Sequence, residues 1–302
     1  MFKYIKLVII TVLVIGCEQV VDISPKSGYT GTVFVEGLLV VGETPRIYLM
    51  EALPFASSRV TPQRVFARGA EVIVSTEGYQ ETLLPDSSFN QFRCRWEPYY
   101  GGVNEILFGS TYHLEINYEG KNYGASTTTD QSKPTITSIG YNPEFYDIYG
   151  GHDGVNIMLK DPEGSGDFYR FEMNRQIDNS VAHAHILDVI QSTCTAEGEM
   201  FWVKDIGRTV FSDEGNDGQE LDLLVEVSFE YSEGDSTWIT MQSLNETAAA
   251  FYKELDDQLI SIVNPFVEPV FLESKIDGGA VGFFGSAVKS DSVLFIYPQD
   301  NP

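Results

Sequence analysis

The chain has 302 residues, with 44 Asp and Glu against 19 Lys and Arg, giving a formal charge of −25 and an isoelectric point near 4.3. That excess of acid excludes binding to nucleic acid through phosphates, which needs clustered Lys and Arg to displace counterions. Hydrophobic residues at 43% and charged residues at only 21% exclude a disordered chain, and the length predicts one large domain or two.

The first sixteen residues pair a positive start, Lys3 and Lys6, with the uninterrupted apolar run Leu7 to Ile15. The run is too short to span a bilayer and reads as a signal peptide over residues 1–16. It ends in Val14-Ile15-Gly16-Cys17, which resembles the lipobox of bacterial lipoproteins. Cys17 is the expected lipidation site, because its thiol can take a diacylglycerol before cleavage makes it the new N-terminus. Acyl chains bind membrane by about 0.8 kcal/mol per buried CH₂, enough for a durable anchor when two or three are present. Loss of Lys3 and Lys6 with the leader takes the charge from −25 to −27. Residues 17–30 form a short lipidated tether.

From Thr32 the pattern turns to strands. Thr32–Glu36, Arg46–Met50, Ala70–Ser75, Tyr79–Leu84, Thr111–Tyr118 and Lys121–Thr129 are short, rich in β-branched and aromatic residues, and several alternate apolar with polar. They predict a β-sandwich over residues 31–130 of immunoglobulin-like or fibronectin-like size. Asp130 to Pro134 breaks the pattern and is the predicted boundary. A second series, Val155–Leu159, Phe168–Met173, Leu223–Tyr231, Thr237–Met241 and Ser292–Tyr297, predicts another sandwich over residues 135–302. One amphipathic helix is inserted in it at residues 244–262. Ser243 and Glu246 have capping-box spacing, and Leu244, Ala248, Phe251, Leu255 and Leu259 make the apolar stripe. The fold class expected is therefore all-β, two β-sandwich domains, the second carrying one helix.

Several features occur in an order that resembles the Bacteroidetes lipoprotein family DUF4249, a domain of unknown function. They are the lipobox, Val35-Glu36-Gly37, the Asp161-Pro162 turn before Phe168-Tyr169-Arg170-Phe171, the Ser-Leu-Asn-Glu-Thr helix start with Phe251-Tyr252, Asn264-Pro265-Phe266, and the run Gly278 to Gly285. The resemblance covers essentially the whole mature chain. It implies an all-β protein anchored in the outer membrane, often encoded beside TonB-dependent receptors, and it brings no catalytic residues.

Residues that could carry chemistry are few. Asp161, Glu163, Ser165 and Asp167 fall at positions 1, 3, 5 and 7 of a calcium loop of EF-hand type, with Gly166 at 6 and Glu172 at 12. The flanks read as strands, so a plain hairpin turn is the leading reading and calcium the minor one. No cofactor is otherwise expected. The acids from Asp213 to Asp222, five in ten residues, could collect a hard cation, but without rigid ligand spacing a solvated loop is the leading reading. His183 and His185, with Asp188 and Cys194 near in sequence, offer zinc ligands in a weakly patterned segment. A disulfide between Cys94 and Cys194 is open, since spacing alone does not establish pairing. No nucleophile motif of Gly-x-Ser-x-Gly or His-Glu-x-x-His type occurs, so no catalytic residue is assigned.

Aromatic rings with polar handles mark the better binding candidates. Trp96, Tyr99 and Tyr100 in one expected loop, and Tyr141, Tyr146 and Tyr149 in another, suit partner or glycan contact or packing between the two sandwiches. The functional expectation is a non-enzymatic outer-membrane lipoprotein, held by lipid at Cys17 and acting as an accessory or ligand-binding partner of a TonB-dependent transporter. Its place is the cell surface or the periplasmic face. A surface hydrolase acting on glycans or peptides, and an adhesion or structural module, are the alternatives.

Overall fold

In the computed structural model the described residues are 31–53, 61–91, 94–147, 150–164, 166–178, 200–207, 209–226, 234–263, 268 and 270–297. The signal peptide, Cys17, Tyr149, His183, His185 and Cys194 lie outside them. The protein is all-β, and the described residues include two helices, α1 (Pro62–Val65) and α2 (Glu246–Val263).

A thirteen-stranded sheet runs through the described residues. Its N-terminal part comprises β1 (Val33–Val40), β2 (Arg46–Glu51), β3 (Glu71–Thr76), β4 (Tyr79–Asn90), β5 (Arg95–Gly101), β6 (Thr111–Tyr118) and β7 (Lys121–Thr128). β4 changes partner along its length: Tyr79 to Leu83 pair with β3, and Leu84 to Asn90 pair with β5. A strand shared in this way turns a corner, so the sheet wraps its own apolar face. Inside lie Val35, Leu39, Ile47, Leu49, Val72, Val74, Tyr100, Leu114 and Ile116.

The remaining strands are β8 (Thr135–Asp147), β9 (Gly150–Lys160), β10 (Phe168–Asp178), β11 (Met200–Ile206), β12 (Phe211–Ser212), β13 (Glu220–Glu226), β14 (Ser236–Leu244), β15 (Val281–Lys289) and β16 (Val293–Ile296). β13, β9 and β8 form a separate three-stranded sheet. Its Val155, Ile157, Leu159 and Leu223 pack on Tyr169, Met173, Ile239 and Met241 of β10 and β14, a second sandwich core. On the opposite face of β14, β15 and β1 lies α2, whose Ala248, Ala249, Phe251 and Tyr252 meet Phe283, Ala287, Leu38 and Val40.

β15 links these layers, because it pairs in parallel with β1 and antiparallel with β14. Its sequence VGFFGSAVK has no polar alternation since it is buried on both faces, the signature of a central strand. Gly282 sits at φ 131°, and a Cβ there would lie 1.9 Å from the Val35 carbonyl oxygen, so only glycine lets the two strands approach.

Three local expectations change. The segments around Trp96 and Tyr141 are strands β5 and β8 rather than loops. The helix begins at Glu246, and its first turn is capped by Asn245, whose Oδ1 accepts from Ala248 N at 3.1 Å. Ser243 instead lies in β14, fully buried, and so makes no capping box. No described helix is long and apolar enough to cross a membrane.

Candidate functional site

The sequence offers two acidic runs fifty residues apart, and the fold joins them. The turn between β9 and β10 carries Asp161 and Asp167; the loop between β12 and β13 carries Asp213 and Asp217. Carboxylate oxygens of Asp161, Asp213 and Asp217 lie within 4.8 Å of one another. Asp161 is 1% exposed and Asp213 3%. Backbone bonds fix the two loops together: Asp161 N donates to Gln219 O at 3.1 Å, and Asp213 N donates to Asp167 O at 3.2 Å. Amides also point at the carboxylates, with Gly218 N on Asp161 Oδ2 at 2.8 Å, Gly166 N on Asp213 Oδ2 at 3.0 Å and Gly164 N on Asp217 Oδ1 at 2.8 Å.

The Tyr169 hydroxyl donates to Asp161 from the core side. Burial and that bond raise the tyrosine pKa. Burial first, then Asp161, Asp213 and Asp217, push Asp167 up to about 6. Like charges at short range disfavour the ionised form of Asp167. Among the described residues none of these four carboxylates is in an ion pair. A cavity of about 500 Å³ opens beside them, lined by Asp213, Asp217, Phe168, Val210 and, from α2, Glu246 and Lys253.

Glu163 is exposed and stays outside the cluster of three, close to Gly218. Glu172 lies within β10 and meets Lys204 and Lys289 instead, so the spacing of positions 1 to 12 does not wrap around one ion. Asp213 and Asp217, read as solvated loop residues, take the places that Glu163 and Glu172 held in the linear pattern.

A second arrangement lies on the α2-covered face of the large sheet, where residues from β1, β10, β14 and β15 form a connected polar floor. The Tyr252 hydroxyl donates to Glu36 Oε1 at 3.2 Å. The Arg170 guanidinium stacks over the Tyr252 ring at 3.7 Å and donates through Nη2 to Gln242 Oε1 at 3.1 Å. Gln242 Nε2 donates to Glu172 Oε2 at 2.9 Å. Glu172 also meets Lys204 at 3.0 Å and Lys289 at 3.2 Å, and Lys289 reaches Glu43 at 2.6 Å. Burial raises the pKa of Glu36, with the Tyr252 bond and Arg170 opposing. Above this floor is a cavity of about 300 Å³, with Leu38, Val40, Ile206, Leu255 and Leu259 as its apolar lining.

The aromatic candidates divide by burial. Tyr100 is 0% exposed, donating from its hydroxyl to Ala67 O at 2.7 Å and accepting from Ala70 N at 3.1 Å. Tyr99 is also buried, beneath Arg46, and donates to Asp86 Oδ2 at 3.1 Å. Trp96 is 52% exposed and packs against exposed Phe89 with the rings tilted at 56°, centroids 5.4 Å apart. Tyr141 packs on the second sandwich core with its hydroxyl 2.9 Å from that of Tyr297. Tyr146 lies in β8, paired with Gly151 of β9. Cys94 is disulfide-bonded, and both other cysteines lie outside the described residues.

Sequence reasoning passed over Glu36, Arg170 and Gln242. Each is a polar residue inside an apolar strand pattern, spaced by two from residues such as Leu38, Phe168 and Leu244 that face the helix. That misplaced polarity was the available signal.

A family model described as Domain of unknown function (DUF4249) matches residues 18–292. No curated protein matches the chain.

Proposed function

The chain belongs to the DUF4249 family, and from that premise we propose that it is a lipid-anchored, non-enzymatic binding protein of the bacterial outer membrane, an accessory or ligand-binding partner of a TonB-dependent transporter. The cavity beneath α2 carries this reading. It combines an apolar lining with a few fixed polar groups on a rigid sheet and helix, the usual make-up of a small-molecule site. The leader, Gly16-Cys17 and the absence of a catalytic motif in the sequence support anchoring and binding over turnover. Detergent extraction of membranes followed by affinity purification and mass spectrometry tests the proposal. A TonB-dependent receptor should co-purify, and Cys17→Ala should move the protein to the soluble fraction. Recovery without any such receptor, or persistence of Cys17→Ala in membranes, would overturn it.

A second reading, calcium at the acidic loops, is favoured by one observation. Asp161 and Asp213, almost fully buried and held by separate loops, bring hard oxygen donors within reach of one ion together with Asp217. Calcium should raise the melting temperature of EDTA-treated protein, and Asp217→Asn, an exposed position, should remove most of that shift. An unchanged melting temperature with calcium retires this reading.

A further inference from the structure

Among the described residues that line the cavity beneath α2, Arg170 is the cation with no carboxylate within ion-pair distance, although the Glu36 charge acts on it through space. Lys204 is engaged by Glu172, and Lys289 by Glu172 and Glu43. Arg170 is different: it is 5% exposed, Gln242 and the Tyr252 ring are its neighbours, and its buried Nε has no hydrogen-bond partner. A buried guanidinium with an unmet N–H is costly, because the interior returns little of the hydration it lost. That Nε is enclosed by protein atoms, so an incoming carboxylate would meet the guanidinium through its charge, on the edge that lines the cavity.

The remaining walls restrict what that carboxylate can be attached to. Leu38, Val40, Ile206, Leu255 and Leu259 offer an apolar lining. Glu36, Glu43 and Asp256 also line the cavity and would repel a second negative group. A volume of about 300 Å³ is at the lower end for ligand pockets and admits a single ring or a short chain.

We infer that this cavity binds a small organic monocarboxylic acid, its carboxylate against the Arg170 guanidinium and its apolar body against Leu38, Ile206 and Leu259. The inference rests on the reading of the cavity as a ligand site and adds the chemical class of the ligand.

Equilibrium dialysis of the full chain purified in detergent, against labelled phenylacetate and with micelles alone as the blank, tests it. Phenylacetamide and succinate are the comparators: one lacks the charge and the other doubles it. Phenylacetate should bind at least tenfold more tightly than either. Arg170→Gln should weaken phenylacetate at least tenfold. Leu259→Trp, at a partly exposed position on the cavity wall, should do the same by filling the space while keeping the guanidinium, which covers the case in which loss of Arg170 disturbs folding. No uptake of phenylacetate at millimolar concentration, equal uptake of acid and amide, or full binding by Leu259→Trp overturns the inference. Co-purification with a receptor is a separate measurement, so the binding test can fail while that reading stands.

Discussion

Glu172 ties together the polar floor beneath α2. It is 3% exposed, and burial alone would raise its pKa; Lys204 and Lys289 outweigh burial and hold it below the usual carboxylate range. With the folded value depressed, its contribution to stability is present above the ordinary glutamate pKa and lost as pH falls through the folded value. Glu172→Gln should therefore cost about 2 kcal/mol at neutral pH, since two lysines lose their charged partner. The same variant should lose less stability than the parent between about pH 5 and pH 3. Urea unfolding at several pH values measures both; parallel pH curves for the two proteins would contradict the assignment. No periodicity argument finds this role, because the linear pattern made Glu172 the twelfth position of a metal loop while its partners come from β11 and β15.

Two elements carry information that their sequences present ambiguously. At the start of α2, both Ser243 and Asn245 are residue types that cap helices. Asn245 Oδ1 accepts from Ala248 N and from Ser286 N, both at 3.1 Å, whereas the buried Ser243 Oγ has no partner. Asn245→Ala should cost about 1–2 kcal/mol, and Ser243→Ala should be neutral or slightly stabilising by thermal denaturation. The reverse order would restore the Ser243–Glu246 cap. In β5, the sequence RWEPYYG has adjacent aromatic residues and a proline, which obscure the strand period. Its register on β4 nevertheless buries Tyr99 and Tyr100 and leaves Trp96 outside. Tyr100→Ala should cost about 3–5 kcal/mol, as for other large buried rings. Trp96→Ala should stay within about 0.5 kcal/mol, leaving Trp96 and Phe89 as the accessible pair for a contact surface. Denaturant titrations of the two variants side by side distinguish these positions.

At the scale of the whole molecule, β15 brings the end of the chain to its beginning. Phe284 enters the N-terminal core while Phe283 and Ala287 face α2, so one strand serves two clusters. Gly282→Ala would press a Cβ into the Val35 backbone and hold a strained φ, and should cost about 3 kcal/mol, read as a fall in the urea midpoint. The acidic loops meet by the same kind of long-range assembly. Asp161 and Asp213 are brought together only because β12 and β10 pair and the β13 sheet folds back over β10. The cavity floor likewise takes residues from β1, β10, β14 and β15, whose order in the sheet does not follow their order in the chain.

The sequence by itself determined the all-β class, the helix near residue 250, most of the alternating strands and the family, because strand period, helix period and turn residues are local properties of the chain. It also flagged both acidic runs as unusual, since charge density is visible without a fold. What only the tertiary structure decided is which residues meet. β15 was hidden because a strand buried on both faces has no alternation to read. The union of Asp161 with Asp213 and Asp217, and of Arg170 with Glu36 and Tyr252, depends on contacts across scores of residues or more. The opening excess of acid thus divides in two: among the described residues most of it is exposed, while a small buried part is fixed by backbone amides and lysines into arrangements that composition and local spacing do not encode.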